Sequence, residues 1–146
     1  MKIKGRKSEA GFTLTEIMVV VVIIGLLSTV VAVNVFGASG TAQVTTAKAN
    51  ISALTQSLER YRLQLHSYPT EAQGLEALVV APSDLPSSAL YPRGGFIQRL
   101  PTDPWGRPYQ YVVPAERSRA GFDVFSYGAD GVPGGEEENA DIGNWD

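Results

Sequence analysis

Two groups of residues in this chain could do chemistry. One is a lone carboxylate, Glu16, about one helical turn after Phe12 and directly ahead of the uncharged residues Ile17 to Val33. An acid at the lip of an apolar run is costly unless it has a partner or a task. The other group is the acidic end. Asp130, Glu136, Glu137, Glu138 and Asp141 fall within residues 128–141, interleaved with Gly128, Gly131, Pro133, Gly134 and Gly135. Composition alone reads as a solvated loop, because glycine and proline prevent regular structure and the acids repel one another. A hard cation would reverse that. Calcium takes about six to eight oxygens from carboxylates and carbonyls, and glycine lets the backbone turn its carbonyls inward. The spacing of an EF-hand is absent, so the residues leave both readings open.

Other chemistry has little to stand on. With no cysteine, the chain has neither a disulfide framework nor a thiolate metal site. His66 is the single histidine and stands where a helical pattern ends, a place for a cap or a dipole partner rather than a base. Ser126 has no base nearby, Asp123 and Glu116 read as surface acids, and no phosphate-binding glycine loop occurs. The chain therefore reads as a non-enzyme. Its net charge of −3 is unevenly spread: residues 1–11 carry four bases and one acid, the remainder eight bases and fourteen acids. No basic stripe survives beyond Lys7, which disfavours nucleic-acid binding.

The elements that position these groups follow from periodicity. As a helix, 17–33 would be about 26 Å long, slightly short of a hydrocarbon core of about 30 Å. The chain stays uncharged to Ala47, so Asn34-Val35-Phe36 can extend the span. Bases before it and acids after it place the amino terminus in the cytoplasm. A simple membrane anchor fits this pattern, and so does a signal peptide cut among Ala38, Ser39 and Gly40. Neither needs Glu16. Beyond the stem, Val44, Ala47, Ile51, Leu54, Leu58, Tyr61 and Leu65 recur at spacings of three and four, one apolar stripe on a helix. Stem and stripe together imply one helix from about Phe12 to about His66.

Pro69 ends that helix at Tyr68. Thr70 reads as the N-cap of a short helix from Glu71 to about Val80. Pro82 to Arg93 reads as loop, and Leu100 to Pro108 as a proline-rich turn system anchored by Trp105. Tyr109 to Val113 and Phe122 to Ser126 read as strands, joined by a hairpin-length loop from Pro114 to Gly121. The fold class is α+β: a long amino-terminal helix, its first part a transmembrane stem and its second amphipathic, packed on a small antiparallel sheet.

The segment Gly11-Phe12-Thr13-Leu14-Thr15-Glu16-Ile17, behind a basic leader, resembles the class III signal of type IV pilin-like proteins. The resemblance extends over nearly the whole chain. Tyr68-Pro69-Thr70, Gln73-Gly74-Leu75, Leu100-Pro101-Thr102-Asp103-Pro104-Trp105-Gly106, Gly128-Ala129-Asp130-Gly131 and Asp141-Ile142-Gly143-Asn144-Trp145 are similar to the major pseudopilins of the type II secretion system. It implies a pilin-like fold, with a leader at 1–11, a stem at 12–40 and a periplasmic head at 41–146. The head includes the amphipathic helix 41–66 and a calcium loop at 127–141. It also implies that prepilin peptidase cuts between Gly11 and Phe12, that Phe12 is N-methylated, and that Glu16 pairs with the freed amine during assembly. The family commonly has proline at the position of Val33, so here the weak points of the stem are Gly25, Gly37 and Gly40. For the loop, the resemblance implies calcium held by the side chains of Asp130 and Asp141 and the carbonyls of Tyr127 and Val132, with Glu136 to Asn139 as further candidates.

The implied function is that of a structural subunit of the periplasmic pseudopilus, which helps export folded proteins across the outer membrane. Before assembly the subunit would sit in inner-membrane lipid as a single pass, with its amino terminus cytoplasmic and its head periplasmic. Its expected partners are identical subunits, prepilin peptidase, minor pseudopilins and the inner-membrane secretion platform. Two alternatives are a type IV pilus subunit and a soluble periplasmic calcium-binding module released by signal peptidase.

Overall fold

The structure is a computed structural model that describes residues 11–85 and 90–146, without the side chains of 29–39. The leader bases Lys2, Lys4, Arg6 and Lys7 and the side chain of Val33 lie outside the described residues. The chain divides into two compact units, Met1–Ser39 and Gly40–Asp146. One helix, α1 (Leu14–Leu65), supplies residues to both, as the periodicity requires.

In the first unit, α1 starts after the non-helical residues 11–13. From Ile17 onward its opening turns are apolar on every side, and Leu14, Ile17, Met18, Val19 to Ile24, Leu26 and Leu27 are all exposed. Among the described residues no helix is long and apolar enough to cross a membrane. In sequence the apolar run continues through Val33, past the last described side chain of the stem.

In the second unit the helical stripe is the floor of the core. Ala47, Ile51, Leu54, Leu58 and Tyr61 are each at most 3% exposed, and Val44 and Leu65 pack at the ends. His66 ends the helix. Its N–H still donates to the Arg62 carbonyl at 2.7 Å, but its φ of 64° turns the chain out of the helix, the αL geometry of a C-terminal cap. The expected helix from Glu71 to Val80 is shorter than the sequence suggests. Thr70 does cap, exchanging bonds with Gln73: the Gln73 N–H donates to Thr70 Oγ1 (3.3 Å) and the Thr70 N–H to Gln73 Oε1 (2.9 Å). Gly74 then takes φ 59°, which breaks the turn, and only a 3-10 segment, Leu75–Leu78, follows.

The sheet has three antiparallel strands: β1 (Gln110–Val112), β2 (Asp123–Ser126) and β3 (Ile142–Gly143), with β2 central. Strands β1 and β2 lie where alternation places them, whereas β3 is too short to show a period. Gln110 opposes Phe125, Tyr111 opposes Val124, and Ser126 opposes Ile142. Because side chains alternate across a strand, Val124 and Ser126 share one face, while Asp123 and Phe125 share the other. Phe122, Val124, Tyr109 and Ile142 complete the core cluster begun by α1. Trp105 packs against its edge, in keeping with an anchor for the turn system.

Candidate functional site

At the amino-terminal end, the sequence singles out Gly11, Phe12 and Glu16. Gly11 to Thr13 are exposed and non-helical, and Phe12 is 79% exposed. Glu16 sits in the first turn of α1. Its N–H donates to Thr13 Oγ1 at 3.2 Å, and the Thr13 N–H reaches Glu16 Oε2 at 3.5 Å. This is a capping box, in which two otherwise orphaned donors at a helix start are satisfied reciprocally. The helix thus begins after this cap, and the Gly11–Phe12 bond lies outside it. Thr13 is the residue the sequence reading missed here, although the Thr-x-x-Glu pattern itself carries the signal.

The acidic loop leaves β2 at Tyr127 and rejoins the sheet at β3. Its near end is tied down by two residues of the turn system. Asp103, 4% exposed, accepts the hydroxyl of Ser126 at 2.7 Å and the N–H groups of Trp105 and Arg107 at 3.1 and 2.7 Å. Arg107 donates Nη2 to the carbonyls of Gly128 and Ala129. Gly128 has φ 69°, and a Cβ there would lie within 2.7–2.8 Å of the Asn139 carbonyl carbon and the Glu138 and Ala140 carbonyl oxygens, so glycine is required. The loop closes across itself through the Ala129 N–H to the Glu138 carbonyl (2.8 Å) and the Asp141 N–H to the Gly134 carbonyl (3.1 Å).

The four expected ligand residues all lie on this loop. Asp130 is exposed, and its Oδ1 accepts the Val132 N–H at 3.1 Å, an Asx-type turn. Val132 is 54% exposed. The Asp141 carboxylate is only 7% exposed; Oδ1 accepts the Gly134 N–H at 3.1 Å, and Oδ2 pairs with Arg117 Nη1 at 2.9 Å. Tyr127 is half-buried, its ring edge-on to Phe125 at 5.1 Å. Glu136 to Asn139 are exposed and include a 3-10 turn, Glu137–Asn139. The Glu138 carboxylate lies against the backbone of Gly40 on α1. Among the described residues no three acidic or histidine side chains group as a metal cluster. In kind, carboxylates and backbone carbonyls are the oxygen donors that a hard cation takes.

Among the acids, one sequence expectation is overturned. Asp123 is no surface acid: it is 2% exposed and accepts the N–H groups of Glu116, Arg117 and Ser118 at 2.7–2.8 Å. Burial pushes its carboxyl up, but those three donors outweigh burial and hold it below the usual aspartate value. Asp123 therefore fixes residues 116–118 at the middle of the 114–121 loop, a role that local sequence does not announce. Glu116 is exposed, as expected.

A long amino-terminal helix with an exposed apolar start, followed by a small antiparallel sheet, is the architecture of a pilin-like subunit. The family model described as "Type II secretion system (T2SS), protein G" matches residues 34–145, and the "Prokaryotic N-terminal methylation motif" matches residues 6–32. The chain is 47% identical over 141 residues to type II secretion system core protein G of Pseudomonas aeruginosa, covering 97% of this chain and 98% of that protein. It is 48% identical over 142 residues to the protein of that name from Vibrio cholerae, covering 97% and 95%. It also superposes on the crystal structure of the major pseudopilin from the type 2 secretion system of enterohaemorrhagic Escherichia coli. The TM-score is 0.64 at 43% identity, over 77% of this chain and 94% of that one. The chain belongs to the protein G family of the type II secretion system, the major pseudopilins. Members of this family are structural subunits of the pseudopilus.

Proposed function

We propose that the chain is made as a precursor, cut by prepilin peptidase between Gly11 and Phe12, N-methylated at Phe12, and assembled with identical subunits through the first half of α1. The observation that carries this reading is the exposed apolar surface of Phe12, Leu14 and Ile17 to Leu27, which nothing in its own unit covers among the described residues. A helix apolar all round is a buried helix. Lipid covers it before assembly and neighbouring stems cover it afterwards. The head then faces the periplasm, with the amino terminus cytoplasmic. Once Phe12 is freed, its amine needs a counter-charge in that apolar setting, and Glu16 is the acid at hand. Such a pair fixes register more than it adds stability. Minor pseudopilins and the inner-membrane secretion platform are the further partners in this scheme.

Mass spectrometry of the amino-terminal peptide tests the processing: the expected product begins with N-methyl-Phe12, and a mature chain retaining Met1 rejects it. Glu16→Ala tests the pairing. It should insert in the membrane as the parent does yet fail to form filaments; normal filaments would reject the role of the acid.

Calcium is the ion we propose for the acidic loop, held by the side chains of Asp130 and Asp141 and the carbonyls of Tyr127 and Val132. Two carboxylates on one glycine-rich loop, one of them nearly buried, support it. A hard dication there would neutralise the mutual repulsion of the acids and close the loop against β3. Mass action sets the scale: an ion at a hundred times its dissociation constant adds about 2.7 kcal/mol to the folded state. Chelation should lower the melting temperature and open 128–141 to protease. Identical melts with and without calcium would reject the ion.

A further inference from the structure

Arg117 stands in an unusual position relative to the acidic loop. Its backbone is fixed, because its N–H donates to the buried Asp123 at 2.8 Å, between the bonds from Glu116 and Ser118. Its side chain is 51% exposed and crosses to the far end of the other loop, where it pairs with Asp141 at 2.9 Å. The guanidinium carbon also lies 4.8 Å from the centre of the Trp145 ring. Asp141 in turn braces the loop, since its N–H and Oδ1 both bond Gly134.

We propose that Arg117 is a built-in counter-ion that competes with the divalent cation for Asp141. The inference rests on the calcium reading above. Without the ion, the guanidinium neutralises the nearly buried carboxylate and keeps the end of the loop closed onto β3. A dication within bonding distance of that carboxylate would sit a few ångströms from the guanidinium, and two cations so close repel. The ion therefore displaces Arg117, whose half-exposed side chain moves into water at little cost. In leaving, the guanidinium also leaves the Trp145 ring, so ion binding should change the fluorescence of that indole. Asp123 gives the device its precision, because its bonds to the N–H groups of 116–118 anchor the turn that launches Arg117 to β2 rather than to the acidic loop.

The test is calcium titration of the full-length chain in detergent, by calorimetry and by tryptophan fluorescence, for the parent, Arg117→Gln and Arg117→Lys. Removing the competitor should tighten calcium binding about fivefold, the scale of a half-exposed ion pair. It should also lower the melting temperature in chelator while leaving the calcium-loaded melt near that of the parent. Arg117→Lys keeps the charge and should bind calcium as the parent does. Equal or weaker calcium affinity in Arg117→Gln overturns the competition while leaving the ion in place. No calcium binding to any of the three overturns both the ion and the competition. A Gln variant destabilised equally with and without calcium assigns Arg117 a purely structural bond and also overturns the proposal.

Discussion

The two halves of α1 are both apolar, yet they solve opposite problems. From Leu14 to Leu27 the apolar side chains surround the helix and are exposed. From Val44 to Leu65 they form one stripe, buried beneath the core residues Phe122, Val124 and Ile142 of the same chain. The second half finds its partner in cis and belongs to a domain that folds on itself. The first half has apolar surface that nothing in its own unit covers among the described residues, and the assembly proposed above would bury it. On that reading one helix carries a folding surface at one end and an assembly surface at the other.

The strongest way to break this contrast is to delete the same side chain from each half. Leu58 is fully buried and Leu26 is 73% exposed. Leu58→Ala should cost the head about 2–5 kcal/mol through lost burial and an unfilled cavity. Leu26→Ala should leave the melt of the head unchanged and reduce only assembly. Denaturant melts of the two variants in detergent check both; a loss of head stability in Leu26→Ala would end the division of labour.

A second contrast lies between two aspartates of the head. Asp123 is locked by three N–H donors, whereas Asp130 is exposed with a single local bond to the Val132 N–H. Asp123→Ala strands three donors and should cost about 3 kcal/mol; Asp130→Ala in chelator should cost little. The pH dependence follows from the lowered carboxyl of Asp123. A carboxyl whose folded value lies below its unfolded one stabilises the protein fully above the unfolded value, near 3.8. That contribution fades as pH falls through the folded value. The gap in melting temperature between the parent and Asp123→Asn should therefore be constant near neutrality and shrink only below about pH 4. A gap already shrinking at pH 6 would assign the effect to another group.

These cases show what the sequence could and could not announce. The helical stripe, β1, β2 and the acidic loop were legible because each repeats or concentrates a local signal: spacings of three and four, alternation, or a run of acids and glycines. Strand β3 was not, since Ile142–Gly143 is too short to show a period. The short helix after Thr70 was overextended because Gly74, at φ 59°, ends it. Asp123, Asp103 and Arg107 were missed for a common reason. Each reaches a segment that comes near only when the sheet forms: Asp123 the N–H groups of 116–118, Arg107 the carbonyls of Gly128 and Ala129, and Asp103 the Ser126 hydroxyl beside its local turn bonds. The resemblance to pseudopilins names Tyr127, Asp130, Val132 and Asp141 as expected ligands, but it gives no sign of the Arg117–Asp141 pair, which joins two loops through residues 24 apart.

The finest distinction concerns the very start of α1. Thr13 and Glu16 bond each other, so Glu16 serves the helix before any amine is freed beside it. The two roles are separable because they use different groups. Thr13→Ala removes the hydroxyl that accepts the Glu16 N–H but keeps the carboxylate, and should loosen the first turn by about 1 kcal/mol. Amide hydrogen exchange would then rise at Thr15 and Glu16 and stay unchanged from Ile51 to Tyr61. Filaments should still form, because the counter-charge for Phe12 remains. Glu16→Gln keeps much of the cap and removes that charge, so it should leave exchange near the parent level while abolishing filaments. If the two variants behave alike in both measurements, capping and assembly are one function of this residue pair and the charge has no separate role.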